Sequence, residues 1–261
     1  MPGTVDFEMH HHIAYIYLNN SQKRNAINTE MWQSLSNLAE KISGDREIRV
    51  AILRGSGDEA FAAGADISQF ESKRKASANG SDYDELTEKA INAVLEIPIP
   101  VIALIHGYCL GGGLSLALAC DFRIASTESS FSIPAARLGT AYPYKATERL
   151  VNQIGASNAK YLLFSGSRID AARAKEIGLV EQIYSKGDLD EAVGSMAESI
   201  VKNAPLTVKT SKFTVNQFSG LAGSPDYATI YRLSKECFES RDYQEGIRAF
   251  MESRKPEFKG E

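Results

Sequence analysis

Three consecutive glycines, Gly111, Gly112 and Gly113, constrain this chain more than any other feature. They follow an apolar run, residues 100–104 (PVIAL), that predicts a buried strand. They precede a Leu- and Ala-rich segment, residues 114–120, that predicts a helix, and a second short strand is expected at 122–125. A strand, a glycine turn and a helix start leave bare backbone N–H groups facing outward. Glycine lets a ligand approach the backbone, the first helical turn leaves its N–H groups unpaired, and the dipole adds positive potential. Such a turn can bind a phosphate or hold a negative oxygen that develops during a reaction; a purely structural turn is the plainer alternative. The spacing is not that of a dinucleotide-binding turn, because no G-x-G-x-x-G follows the strand. Residues 113–117 (GLSLA) imitate a nucleophile elbow but lack its last glycine, which argues against Ser115 as a nucleophile.

A second stretch repeats the pattern. The run 50–53 (VAIL) predicts a buried strand, and residues 61–67 (FAAGADI) place small residues and Gly64 before Asp66, a residue able to cap a helix from Ile67. Two such loops on neighbouring strands could offer two N–H donors to one oxygen.

Elsewhere the chain alternates in type. Residues 4–9 and 13–18 predict a hairpin. His10, His11 and His12 sit in its turn and read as exposed polar residues, with no acidic or cysteine partner nearby to suggest a metal site. A polar loop at 19–28 carries Lys23 and Arg24, either solvated or in contact with an anion, and Asn28 predicts the N-cap of a helix from Thr29 to about Ile42. Residues 71–84 are charged and read as a mobile segment or lid; a helix is expected at 85–95, ended by the Pro98–Pro100 region. A loop at 134–144 contains Tyr142 and Tyr144, helices are expected at 146–154 and 156–164, a short strand is expected up to Tyr184, and the last third reads as wholly helical. His106, at a strand end, reads as a hydrogen-bonded core histidine in preference to a catalytic one.

Composition limits the function classes. Of 261 residues, 43% are apolar and 24% charged, as in ordinary soluble proteins. A net charge of −4 argues against nucleic acid as the main partner. The three cysteines, Cys109, Cys120 and Cys237, are too few and scattered for a disulfide framework or a metal cluster and fit a reducing cytosol. No signal peptide is visible and no apolar run approaches the roughly 20 residues of a membrane span, so a cytoplasmic protein is expected.

Taken together and in order, the motifs resemble the enoyl-CoA hydratase/isomerase (crotonase) superfamily. The matching pieces are 23–26 (KRNA), 61–67 (FAAGADI), 107–113 (GYCLGGG) with Cys120-Asp121, 131–134 (FSIP), 174–180 (AKEIGLV), 243–250 (YQEGIRAF) and 254–258 (RKPEF). The resemblance implies an α/β fold, the crotonase (Clp-type) spiral ββα core. It implies a core over residues 1–200 and a helical trimerisation region over 201–261, with assembly as a homotrimer or as a hexamer of paired trimers. It implies an acyl-CoA substrate whose coenzyme A portion belongs to the substrate, with no tightly bound cofactor and no metal. Carried over, the backbone N–H groups of Ala65 and Gly112 form an oxyanion hole. Lys23, Arg24, Ala26, Ala63, Asp66 and Ile67 line the coenzyme A nucleotide, and Phe250 and Lys255 match C-terminal positions that approach coenzyme A, in some relatives from a neighbouring subunit.

The chain departs from the family at two positions. Family hydratases carry glutamates where this chain has Ser115 and Ala135. Hydration needs a base to activate water and an acid to protonate the α-carbon, and neither residue supplies one. Tyr142 falls where methylmalonyl-CoA decarboxylases of the superfamily carry a functional tyrosine, although packing under the loop would also explain it. Decarboxylation needs no proton-abstracting base, because loss of CO₂ itself generates the enolate. The alternatives are a hydratase or isomerase with an unrecognised acid and base, and a non-catalytic acyl-CoA-binding scaffold. A Clp-type protease is disfavoured because no Ser-His-Asp set is evident.

Overall fold

In the computed structural model the described residues are 3–66, 81–219 and 224–261. The expected helix start at Ile67 and residues 71–80 of the segment expected as a lid (71–84) lie outside them, while residues 81–84 of that segment open a helix instead. The strands form two sheets. The larger has six strands in the order β1 (Thr4–His10), β2 (Ile13–Asn19), β3 (Val50–Gly55), β5 (Val101–Ile105), β7 (Phe122–Ser126) and β10 (Gln182–Tyr184). The smaller has four, β4 (Ala60–Ala62), β6 (Tyr108–Leu110), β8 (Ser130–Ser132) and β9 (Ile169–Asp170).

β1 and β2 make the predicted antiparallel hairpin, and from β2 to β10 the large sheet is parallel. A parallel sheet is covered on both faces, so its strands read as continuous apolar runs. β5 illustrates this, since all five of its residues are buried. Side chains alternate between faces. Ala51, Leu53, Val101, Ala103 and Ile105 enter the main core. Val50, Ile52, Ile102 and Leu104 enter a second core beneath the helix Leu189–Val201, which contributes Leu189, Val193 and Ala197.

The chain steps repeatedly from the large sheet to the small one: β3 to β4, β5 to β6, β7 to β8. The turn from β5 to β6 is at Gly107, in the left-handed region at φ 54°, where a Cβ would stand 1.8 Å from the Glu59 carbonyl oxygen. No residue with a side chain fits so close an approach. After β6 and β8 come the short helices Gly112–Ala117 and Ala135–Leu138. These sheet-to-sheet steps build the expected spiral.

Some boundaries differ from expectation. The helix expected at 85–95 begins at Ser81. The loop expected over 134–144 contains one turn of helix, Ala135–Leu138, ended by Gly139 in the left-handed region. The two helices expected at 146–154 and 156–164 are observed within Tyr144–Ser165, separated by a kink at Gly155, whose φ of 74° and ψ of 161° are not helical. The C-terminal segment is helical, with Pro205–Phe218, Tyr227–Glu239 and Arg241–Met251. No described helix is long and apolar enough to cross a membrane.

Candidate active site

β4 and β6 are parallel neighbours in the small sheet, so the loops that leave their C-terminal ends lie side by side. One loop is Ala63, Gly64, Ala65 and Asp66; the other is Gly111 and Gly112. A Cβ built on Gly112 would stand 3.5 Å from the Ala65 nitrogen, and one on Gly64 would stand 3.9 Å from the Gly112 nitrogen. The two amides therefore border one small gap.

Both amides are directed into it by the local hydrogen bonds. The first loop pairs with residues 24–27 as a parallel bridge: Ile27 N–H donates to the Gly64 carbonyl at 2.8 Å, and Asp66 N–H donates to the Ile27 carbonyl at 3.0 Å. In such a bridge the intervening residue, Ala65, turns its own N–H to the other side. Gly112 is the first residue of its helix, so no preceding turn accepts from it. Among the described residues neither N–H has a backbone acceptor. At Gly113 a Cβ would lie 2.5 Å from the Ala62 carbonyl oxygen and 2.7 Å from the Ala62 Cβ, so glycine is what lets the helix start sit against β4. Two unpaired N–H donors beside one gap can bind an oxygen atom that gains negative charge.

The predicted nucleotide-binding residues gather on one side of this gap. Ala63 N–H donates to the Arg24 carbonyl at 3.0 Å, and Lys23 Nζ pairs with the buried Asp66 carboxylate at 2.6 Å. Arg24 pairs with Glu59 at 2.7 Å and lies 4.9 Å from the ring centre of Tyr108, which Arg168 also approaches at 5.1 Å. Ala26 is buried beside them. Ile67 lies outside the described residues.

The positions of the family glutamates follow the second loop and the Pro134 turn. Ser115 is 3% exposed, and its hydroxyl is 2.6 Å from the hydroxyl of Tyr142. Ser115 can also donate to the Gly111 carbonyl, at 3.4 Å. Tyr142 packs half-buried against the main core, while Tyr144 is 77% exposed. Burial pushes the Tyr142 phenol up to about 12, with the hydrogen bond to Ser115 and the positive charge of Arg149 offsetting part of the rise. Ala135, half-buried, opens the short helix after Pro134, whose ring would be 3.9 Å from a Cβ on Gly111. Tyr142 also lines an open cleft of 1320 Å³ between the helices Thr29–Gly44 and Ser81–Leu95.

Several neighbours were not singled out by sequence. Trp32, fully buried, would lie 3.8 Å from a Cβ on Gly112, and its indole N–H donates to the Tyr83 hydroxyl at 3.1 Å. Trp32 follows Met31 in the helix Thr29–Gly44, and both are fully buried. Asn25, 1% exposed, ties the Lys23–Arg24 loop down: its amide donates to the carbonyls of Ser56 at 3.0 Å and Ala60 at 2.7 Å, and its carbonyl accepts from Asn20 N–H at 3.0 Å. Arg149, also buried, makes a two-pronged ion pair with Glu88 on the cleft wall, the shorter contact being 3.1 Å.

Two sequence candidates stand apart. Phe250 is 86% exposed on the helix Arg241–Met251, beside a 460 Å³ cleft that includes Phe238, Tyr243 and Phe258 and none of the glycine-loop residues. Lys255 is exposed beyond that helix. His106 is buried and donates to Asp190 at 2.9 Å, the hydrogen-bonded histidine expected from sequence.

The enoyl-CoA hydratase/isomerase family model matches residues 8–261, nearly the whole chain. The chain belongs to the enoyl-CoA hydratase/isomerase family. It is 34% identical over 257 residues to the short-chain-enoyl-CoA hydratase of Clostridium acetobutylicum, covering 98% of this chain and 97% of that one. It is 30% identical to the mitochondrial methylglutaconyl-CoA hydratase of Mus musculus, over 95% of this chain and 80% of that one. A crystal structure described as an enoyl-CoA hydratase/carnithine racemase from Magnetospirillum magneticum superposes with a TM-score of 0.94 at 32% identity, covering 100% of this chain and 97% of that one. The fold is thus that of the enoyl-CoA hydratase/isomerase family, and the protein is an acyl-CoA enzyme of that family.

Proposed function

We propose that this family member stabilises the enolate of an acyl-CoA thioester with the Ala65 and Gly112 amides, and that its reaction is a lyase-type decarboxylation of a malonyl-type CoA. The observation that carries this reading is the hydrogen-bonded pair of hydroxyls, Ser115 and Tyr142, with Ser115 in the helix that Gly112 opens and with Ser115 and Ala135 at the glutamate positions. Loss of CO₂ leaves its electron pair on the α-carbon, and the amides take up the charge on the thioester oxygen. The Tyr142 hydroxyl holds the substrate carboxylate so that the breaking C–C bond stands perpendicular to the thioester plane. A glutamate there would repel that carboxylate.

The coenzyme A portion extends along Lys23, Arg24, Ala26, Ala63, Asp66 and Ile67. Assembly as a trimer, or as paired trimers, covers the exposed Phe238, Ile247 and Phe250 and brings Phe250 and Lys255 towards coenzyme A of a neighbouring subunit. A hydratase or isomerase is the second reading, favoured by the names of the relatives and by Glu88, a carboxylate that lines the same cleft as Tyr142.

The test is incubation with malonyl-CoA, methylmalonyl-CoA and crotonyl-CoA, followed by mass spectrometry of the thioesters. Decarboxylated products with little hydration of crotonyl-CoA support the proposal. Crotonyl-CoA hydration near the typical enzymatic rate of about 10 s⁻¹, without decarboxylation, would replace it with the hydratase reading.

A further inference from the structure

The decarboxylation reading leaves one step without a residue: the enolate must receive a proton on its α-carbon. In family hydratases a glutamate is available for proton transfer, but Ser115 and Ala135 hold those positions here. Among the described residues, a pair of hydrogen-bonded hydroxyls reaches from the helix that Gly112 opens to the wall of the cleft. Ser115 lies three residues beyond Gly112 in the same short helix, and the Tyr142 hydroxyl is 2.6 Å from the Ser115 hydroxyl. Ser115 is buried, whereas Tyr142 is half-buried and lines the open cleft.

The pair has two hydrogen-bond arrangements. When Ser115 donates to the Gly111 carbonyl at 3.4 Å, Tyr142 donates to Ser115. When Ser115 donates to Tyr142, the phenolic proton is turned away from Ser115 towards the substrate. The second arrangement presents a proton beside the enolate.

We propose that Tyr142 is the proton donor to the α-carbon of the thioester enolate, and that Ser115 is a positioning residue that turns the phenolic proton towards that carbon. This rests on the reading that Ala65 and Gly112 stabilise such an enolate. The enolate electron pair forms the new C–H bond as the Tyr142 O–H bond breaks, and the thioester carbonyl is restored. The resulting phenolate takes a proton from water in the cleft, leaving hydroxide in solvent. No oxidant, metal or further reactant enters the step. Run in reverse, it predicts a separate activity that needs no carboxylate on the substrate: exchange of the α-protons of a saturated acyl-CoA with solvent.

Exchange of propionyl-CoA α-protons in alkaline D₂O, read by mass spectrometry, tests this independently of decarboxylation. The parent should exchange about a hundredfold faster than enzyme-free buffer, within the range of general acid–base catalysis. Tyr142→Phe should bring the rate down to that of buffer while calorimetry shows propionyl-CoA still binding. Ser115→Ala should slow exchange about tenfold without changing affinity, and Ser115→Thr, which keeps the hydroxyl, should restore it. Parental exchange in Tyr142→Phe would overturn the donor role and leave the enolate reading standing. A parent no faster than buffer would overturn both. Equal rates in Ser115→Ala and the parent would remove Ser115 from the step.

Discussion

The hydroxyls of Ser115 and Tyr142 meet at 2.6 Å, although 27 residues separate them in sequence, and Ser115 lies three residues past Gly112 in the same helix. The contact joins the helix after β6 to the loop before the helix Tyr144–Ser165. It makes Tyr142 a fixed element of the site. Tyr142→Phe removes the hydroxyl and little else. Decarboxylation should fall by roughly ten- to a hundredfold, the equivalent of about 1.5–3 kcal/mol for a hydrogen bond to a charged group, while affinity for coenzyme A is retained. Unchanged CO₂ release in this variant would dismiss Tyr142 from the reaction.

Stability should fall in strongly alkaline solution. Burial pushes the Tyr142 phenol up to about 12, chiefly by desolvation, with Arg149 opposing and Cys109 and Glu88 adding to the rise. Burial likewise raises the Cys109 thiol, and raises Cys120 to about 12. A group whose pKa is raised by folding stabilises the fold below its unfolded value and loses that contribution as pH climbs through the folded one. For Tyr142 the window runs from its ordinary value of about 10 up to about 12. Denaturant titrations across that window should show a shallower loss in Tyr142→Phe than in the parent. Identical slopes would mean that the phenol is not shielded from water.

Asn25 should govern both stability and coenzyme A affinity. Its side chain satisfies the carbonyls of Ser56 and Ala60 and the N–H of Asn20 while almost wholly buried. Asn25→Ala leaves these groups without that partner and should cost about 2–3 kcal/mol, read from thermal or denaturant unfolding. Because the same loop carries Lys23 and Arg24, calorimetry should also show weaker coenzyme A binding. Undiminished affinity in a folded Asn25→Ala protein would separate the loop from the ligand.

The Gly112 amide can be tested by Gly112→Pro. Gly112 is the first residue of its helix, where proline's missing N–H and fixed φ are tolerated. The ring removes one donor and enters the gap in front of the Ala65 nitrogen. Turnover should drop at least about 10²–10³-fold, the cost of losing one oxyanion donor, with circular dichroism showing the fold intact. Near-parental turnover would exclude Gly112 as a donor.

Sequence by itself determined the elements that local chemistry controls. Continuous apolar runs at β3 and β5 mark strands buried on both faces. Asn28 caps its helix by accepting from Met31 N–H at 2.7 Å, and the glycine-rich loops follow the strands as expected. These signals are short-range, because periodicity, capping and glycine turns act over a few residues. The family, too, was legible in the ordered motifs. What only the tertiary structure decided is which loops meet. The parallel pairing of β4 with β6 sets Ala65 against Gly112, and folding of the 140–143 loop brings Tyr142 to Ser115. The same folding places Trp32 under the glycines and Arg149 against Glu88. Such contacts join residues tens of positions apart through shared packing and burial, and no local pattern encodes them. Phe250 and Lys255 show the converse: their sequence motif is plain, yet within the single chain they stand away from the glycine loops, because a motif carries residue types and the fold carries distance.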